Sequence, residues 1–74
     1  MNIKIGEIYE HVKTGNKYQI IYLAKDSETL EEMVVYETLY VNEVSNIWVR
    51  SKKSFEENIL NNEGVISTRF RLIL

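Results

Sequence analysis

Carboxylates crowd the stretch K-D-S-E-T-L-E-E-M-V-V-Y (residues 25–36): Asp26, Glu28, Glu31 and Glu32, with the hydroxyls of Ser27 and Thr29 among them. Clustered carboxylates can act as a general acid and base, or hold a divalent cation through oxygen ligands. An oxygen-ligand calcium loop wants alternating Asp or Asn with a glycine, and D-S-E-T-L-E-E has neither. Glu31 and Glu32 also point to opposite faces once the chain is extended. Asp26, Ser27 and Thr29 are types whose side chains bond the nearby backbone and shape turns. The stretch therefore reads first as a turn, with Glu28 or Glu31 available to pair with Lys13 or Arg50.

A second set is basic and aromatic. On an extended strand Tyr9, His11 and Lys13 project together, and histidine can change charge near neutral pH. His11 is the single histidine and has no serine or cysteine partner at a recognisable spacing, so a hydrogen-bonded structural imidazole is the commoner role. If it works, it binds an anion beside Lys13 and Arg50. The tyrosines pair by strand, Tyr18 with Tyr22 and Tyr36 with Tyr40. Their flat apolar area and polar tip suit a barrel wall or a ligand groove. The wall is the simpler reading, because a small domain needs large side chains to fill it. Trp48, two residues before Arg50, could stack a base; it is read as core, and Arg50 as facing a partner. The expected binding face is Tyr9, His11, Lys13, Glu28 and Arg50. No catalytic residue, metal or cofactor is expected.

These side chains need strands to hold them. Ile8 to Lys13 alternates, Thr14 to Lys17 supplies hairpin chemistry, and Tyr18 to Ala24 is apolar on nearly both sides, as in a central strand. Met33 to Val41 reads as a third strand, Asn42 to Asn46 as a turn, and Ile47 to Arg50 as a short fourth strand. Ser54-Phe55-Glu56-Glu57 has the form of a capping box opening about two helical turns, with Phe55, Ile59 and Leu60 on one face. Gly64 stops it, and Ser67 to Leu74 closes as a fifth strand. The fold class is mainly β: a small five-stranded SH3-like barrel or bent antiparallel sheet, with one short helix before the last strand. A split α+β sandwich is the other arrangement considered. Tyr18, Ile20, Val35, Leu39 and Phe70 are expected in the interior.

The 74 residues bound the rest. They make one domain over 1–74, with a core near the lower limit for independent stability. Without cysteine there is no disulfide, thiolate zinc site or cysteine nucleophile. Packing alone, or packing shared with a second copy, must hold the fold. A net charge of −2 with scattered arginines lacks the basic footprint of a duplex binder. The start lacks a secretory h-region, and the longest apolar run, Ile20 to Ala24, is far below a membrane span. A cytoplasmic location without membrane contact is expected.

Taken together, G-E-I-Y-E-H-V-K-T-G-N-K-Y (residues 6–18), S-E-T-L-E (27–31), V-V-Y (34–36), W-V-R (48–50), Phe55 and Arg69-Phe70 resemble a small bacterial and phage family, domain of unknown function 1653. The resemblance runs over nearly the entire chain. Ser51 stands where the family pattern usually has proline, Ser54 where it has methionine, and Thr14 is inserted between Lys13 and Gly15. The resemblance implies a free-standing or appended domain and brings no activity with it.

The expected function is a non-enzymatic binding module whose polar-aromatic face meets a partner protein or an anionic small molecule. The alternatives are a phage-type nucleotide-binding or sequestering protein with a pocket between identical chains, and, last, a carboxylate enzyme using Glu28, Glu31 and His11.

Overall fold

Each alternating segment has one face to bury, and an antiparallel meander follows. The computed structural model describes residues 2–74. Its elements are β1 (Ile8–His11), β2 (Lys17–Lys25), β3 (Glu32–Thr38), β4 (Ile47–Ser51), α1 (Lys52–Phe55), β5 (Asn58–Leu60), β6 (Ile66–Thr68) and β7 (Phe70–Leu72). The main sheet has the order β4-β3-β2-β1-β7 with every pair antiparallel, and β5 with β6 forms a separate hairpin. Among the described residues no strand pairs with the outer side of β4 or β7, so the molecule is the bent sheet rather than the closed barrel.

The inner face carries Tyr9, Ile20, Val34 and Tyr36, with Phe70 arriving on β7 and Phe55 on α1. Phe55 and Phe70 stack with centroids 4.1 Å apart and planes 4° from parallel. Tyr36 meets both rings edge-on, at 5.6 and 5.8 Å, and Tyr9 meets Phe55 at 5.2 Å. Edge and offset contacts between aromatic rings add about 0.5–1.5 kcal/mol each beyond the area they bury. Aromatic packing thus compensates for the shortness of the chain.

A β-bulge in β2 corrects one expectation. Ile20 stands opposite Tyr36 but Tyr22 opposite Val35, so Ile21 is an extra residue. Tyr18 and Ile20 face inward before the bulge, while Tyr22 lies on the outer face, 65% exposed. Tyr18 and Tyr22 therefore do not share a face. The side of β3 that turns inward is Val34, Tyr36 and Thr38, leaving Val35 half-buried and Leu39 exposed. Both sides of β3 are apolar enough to bury, and the covering α1 and Phe70 make the choice.

The helix also differs from its expected position. Ser51, extended at φ −63° and ψ 147°, is the N-cap, and its Oγ accepts the Ser54 N–H at 3.1 Å. One turn then delivers Phe55 to the core. Ile59 and Leu60 are strand residues, because β6 offers β5 a hydrogen-bonded partner that an isolated two-turn helix lacks. Gly64, at φ +76°, closes that hairpin instead of a helix. The final strand is split at Arg69, which leaves the β5–β6 hairpin and hands the chain to the main sheet.

Candidate functional site

Phe70 is where two of the predicted site residues, His11 and Arg50, come together. His11 stands opposite Phe70 in the β1–β7 ladder, and its ring lies edge-on to the phenyl at 5.0 Å. Arg50 comes from β4 on the other side, with its guanidinium carbon 5.8 Å from the Phe70 centroid. Arg50 Nη1 donates to Ser54 Oγ at 3.2 Å, and Arg69 Nε donates to the Ser54 carbonyl at 3.2 Å. One serine of α1 thus fastens two guanidiniums beside a buried ring. Neither Ser54 nor Arg69 stood out in the sequence as a site residue. The only available signal was Arg69 next to Phe70.

The electrostatics follow from this crowding. Partial burial, then the charges of Arg50, Arg69 and Lys13, hold the His11 imidazolium pKa below its ordinary value. Its Nδ1 accepts the Lys13 backbone N–H at 3.2 Å, which leaves the proton of the neutral ring on Nε2. Arg69 is paired with Glu57 at 3.5 Å, and Arg71 with Glu10 at 2.8 Å. Among the described residues Arg50 has no carboxylate partner.

Beside this lies an aromatic wall. The Tyr18 ring meets Tyr36, Tyr40 and Phe70 edge-on at 5.2, 5.5 and 5.8 Å, and the Tyr18 and Tyr40 hydroxyls lie 2.9 Å apart. Burial, then the bond to Tyr40, raises the Tyr18 hydroxyl pKa far above its usual value. Trp48 packs half-buried against the core, and its Nε1–H donates to the Ser45 carbonyl at 3.1 Å.

The other predicted residues are placed differently. Tyr9 shares the inner face with His11 but is 0% exposed. Its hydroxyl donates to Glu7 at 3.1 Å, and burial with the nearby Glu7 and Glu56 carboxylates pushes its pKa up to about 12. It supports the site from inside and offers no contact surface. Lys13 is exposed in the β1–β2 turn and reaches the cluster through its charge.

Glu28 lies apart. β2 runs from Lys17 to Lys25, eight steps or roughly 26 Å at 3.3 Å each. Lys13 precedes one end of β2 and Glu28 follows the other. The acidic stretch is a turn: Asp26 Oδ1 accepts the N–H groups of Glu28 at 2.8 Å and Thr29 at 3.1 Å, and Thr29 Oγ1 accepts from Glu31 at 3.2 Å. The two backbone donors lower the Asp26 pKa. Glu32 pairs with Lys52 at 3.4 Å. Beside this end a cleft of about 370 Å³ is floored by Ile3, Leu23, Ala24 and Met33. Among the described residues no group of three or more histidines, aspartates or glutamates could hold a metal ion. Likewise, no described helix is long and apolar enough to cross a membrane.

A family model, "Protein of unknown function (DUF1653)", matches residues 7–72. The chain belongs to this family. It is also similar to a crystal structure of a protein of the family from Bordetella bronchiseptica, with 28% identity and a TM-score of 0.83, over 97% of this chain and 88% of that one. No curated protein matches. The family membership agrees with the resemblance carried by the motifs, and the DUF1653 fold is the five-stranded bent sheet described above.

Proposed function

We propose that this DUF1653 domain is a non-enzymatic binding module that takes an anionic small molecule on the face built by His11, Arg50 and Phe70. The observation that carries the reading is that the Arg50 guanidinium has no carboxylate partner among the described residues. Both other arginines have a carboxylate, whereas Arg50 is half-buried, held by Ser54 and set against an aromatic ring. A guanidinium kept partly out of water without a counter-ion binds an incoming carboxylate or phosphate through charge-assisted, bidentate bonds. His11 adds a neutral N–H donor, and Lys13 and Arg69 add positive field. Glu28, beyond the Lys25 end of β2, is not included in the proposed face.

A nucleotide is the second reading, favoured by Trp48. It lies on the same face of β4 as Arg50, and its half-buried indole could accept a stacked base. Glu28 and Glu31 follow the Lys25 end of β2 whereas His11 lies beside its Lys17 end, and this separation does not favour the carboxylate-enzyme alternative.

Thermal denaturation with pyrophosphate, with citrate and with adenosine monophosphate tests the proposal. A ligand at about one hundred times its Kd stabilises by about 2.7 kcal/mol, a readily measured rise in Tm. The wild-type chain should respond to an anion; Arg50→Gln should fold and lose the response, and Arg50→Lys should keep a weakened one. A full response in Arg50→Gln, or none in the wild type, rejects the reading. A response to the nucleotide alone selects the second.

A further inference from the structure

The main sheet has two edges, and the chain treats them differently. β7 is three residues long, with Arg69 and Arg71 on either side of Phe70. Shortness and charge are common protections against pairing with another chain. β4 is five residues long and has no lysine, carboxylate or proline; its one charge, Arg50, is turned onto Ser54 and Phe70, and among the described residues no strand pairs with its outer side.

One hydrogen bond fixes the backbone direction along that edge. The Thr38 N–H donates to the Asn46 carbonyl at 2.8 Å, one step beyond the Glu37–Ile47 pair. Opposed residues of an antiparallel ladder alternate between bonded and non-bonded pairs. Trp48 and Arg50 therefore bond to β3, while Ile47, Val49 and Ser51 turn their amide and carbonyl groups outward. Ser45 Oγ engages both groups of Ile47, at 2.8 and 3.2 Å, so Val49 is the open centre of the edge.

The side chains agree. Val49 is 60% exposed and lies on the outer face in one row with Val35 and Tyr22, across β4, β3 and β2. Towards the other edge the outer face is charged instead, with Glu10 between Lys17 and Arg71.

We infer that β4 is a self-association edge: two copies of this chain pair their β4 strands antiparallel, with Val49 opposite the partner's Val49, and join their sheets into one. The register is self-complementary, as a two-fold interface must be. Val49 and the partner's Val49 exchange both outward hydrogen bonds. Trp48 stands opposite the partner's Arg50, and Arg50 opposite the partner's Trp48, so two cation–π contacts form on the inner face. The Tyr22–Val35–Val49 row becomes continuous with its mate. Moving the register one way sets Arg50 against the partner's Arg50, a like-charge clash. Moving it the other way removes the tryptophan–arginine matches. The pairing requires no ligand; it shares Arg50 and Trp48 with the proposed anion face, and the variants below leave both residues in place.

Sedimentation equilibrium of the full chain tests it, with two variants that leave Arg50 in place. Val49→Pro removes the outward donor and no bond to β3, and proline is tolerated on edge strands in this orientation. Val49→Lys places a charge on the same edge. The wild type should be a reversible dimer and both variants monomers with unchanged circular dichroism. If Val49→Pro fails to fold, Val49→Lys carries the test. Register is tested separately by Val49→Cys, since the chain has no other cysteine. With oxidised glutathione it should give a covalent dimer much faster than the exposed control Leu60→Cys. A wild type monomeric at every concentration, a dimer that survives the charged variant, or equal crosslinking at positions 49 and 60 overturns the inference.

Discussion

Phe55 and Phe70 stack face to face at 4.1 Å although one ends a single helical turn and the other opens the last strand. The pair joins the core to the candidate site, because the ring that Phe55 packs is the ring His11 and Arg50 approach. Phe55→Ala should cost about 3–5 kcal/mol, the usual loss for a buried phenylalanine. In a domain this small that is most of the stability. Urea denaturation measures it as a large fall in midpoint, with Phe55→Leu milder.

His11 gives the domain a pH response of definite sign. Its folded-state pKa is depressed, first by burial and then by Arg50, Arg69 and Lys13. The stability it contributes is fully present above its unfolded value near 6.5 and is lost as pH falls through the lower folded value. Urea midpoints of the wild type should therefore decline in that window, and those of His11→Gln should stay flat. A bound anion should raise the His11 pKa, measurable as a shift in its ring-proton NMR titration. Equal titrations with and without anion would argue against contact.

Leu30 is the one described non-glycine residue with positive φ, at 62°, and its side chain is 67% exposed. Left-handed backbone costs a side-chain-bearing residue about 1–2 kcal/mol, and glycine returns about 0.5–1 kcal/mol of that in unfolded-state entropy. Leu30→Gly should therefore raise stability by up to about 1 kcal/mol, detectable as a higher urea midpoint with an unchanged slope. A loss of stability would mean that the Leu30 side chain makes contacts worth more than its strain.

Glu28→Gln serves as the contrasting variant. Glu28 contributes its backbone N–H to the Asp26 turn, and the amide side chain leaves that bond intact. Stability should stay within about 0.5 kcal/mol of wild type, as for most surface changes, and any anion response should be unchanged. Asp26→Ala should be the costlier substitution in this turn, since it removes the acceptor of both the Glu28 and Thr29 N–H groups.

The sequence by itself determined the mainly β class, the order of the first four strands, the turn at the acidic stretch and the family. Period-two alternation and turn-forming residue types act locally, so they can be read without coordinates. It also brought His11, Lys13 and Arg50 forward as candidates. The tertiary structure decided what depends on a partner segment. Residues 58–60 became a strand because residues 66–68 stood ready to bond them, and β3 buried Val34 and Tyr36 because α1 covered that side. The bulge at Ile21 turned Tyr22 outward. Only the return of β7 beside β1 set Phe70 between His11 and Arg50, with Arg69 nearby and Tyr9 sealed beneath. Each choice rests on contacts between segments distant in the chain, whose free energies no local pattern encodes.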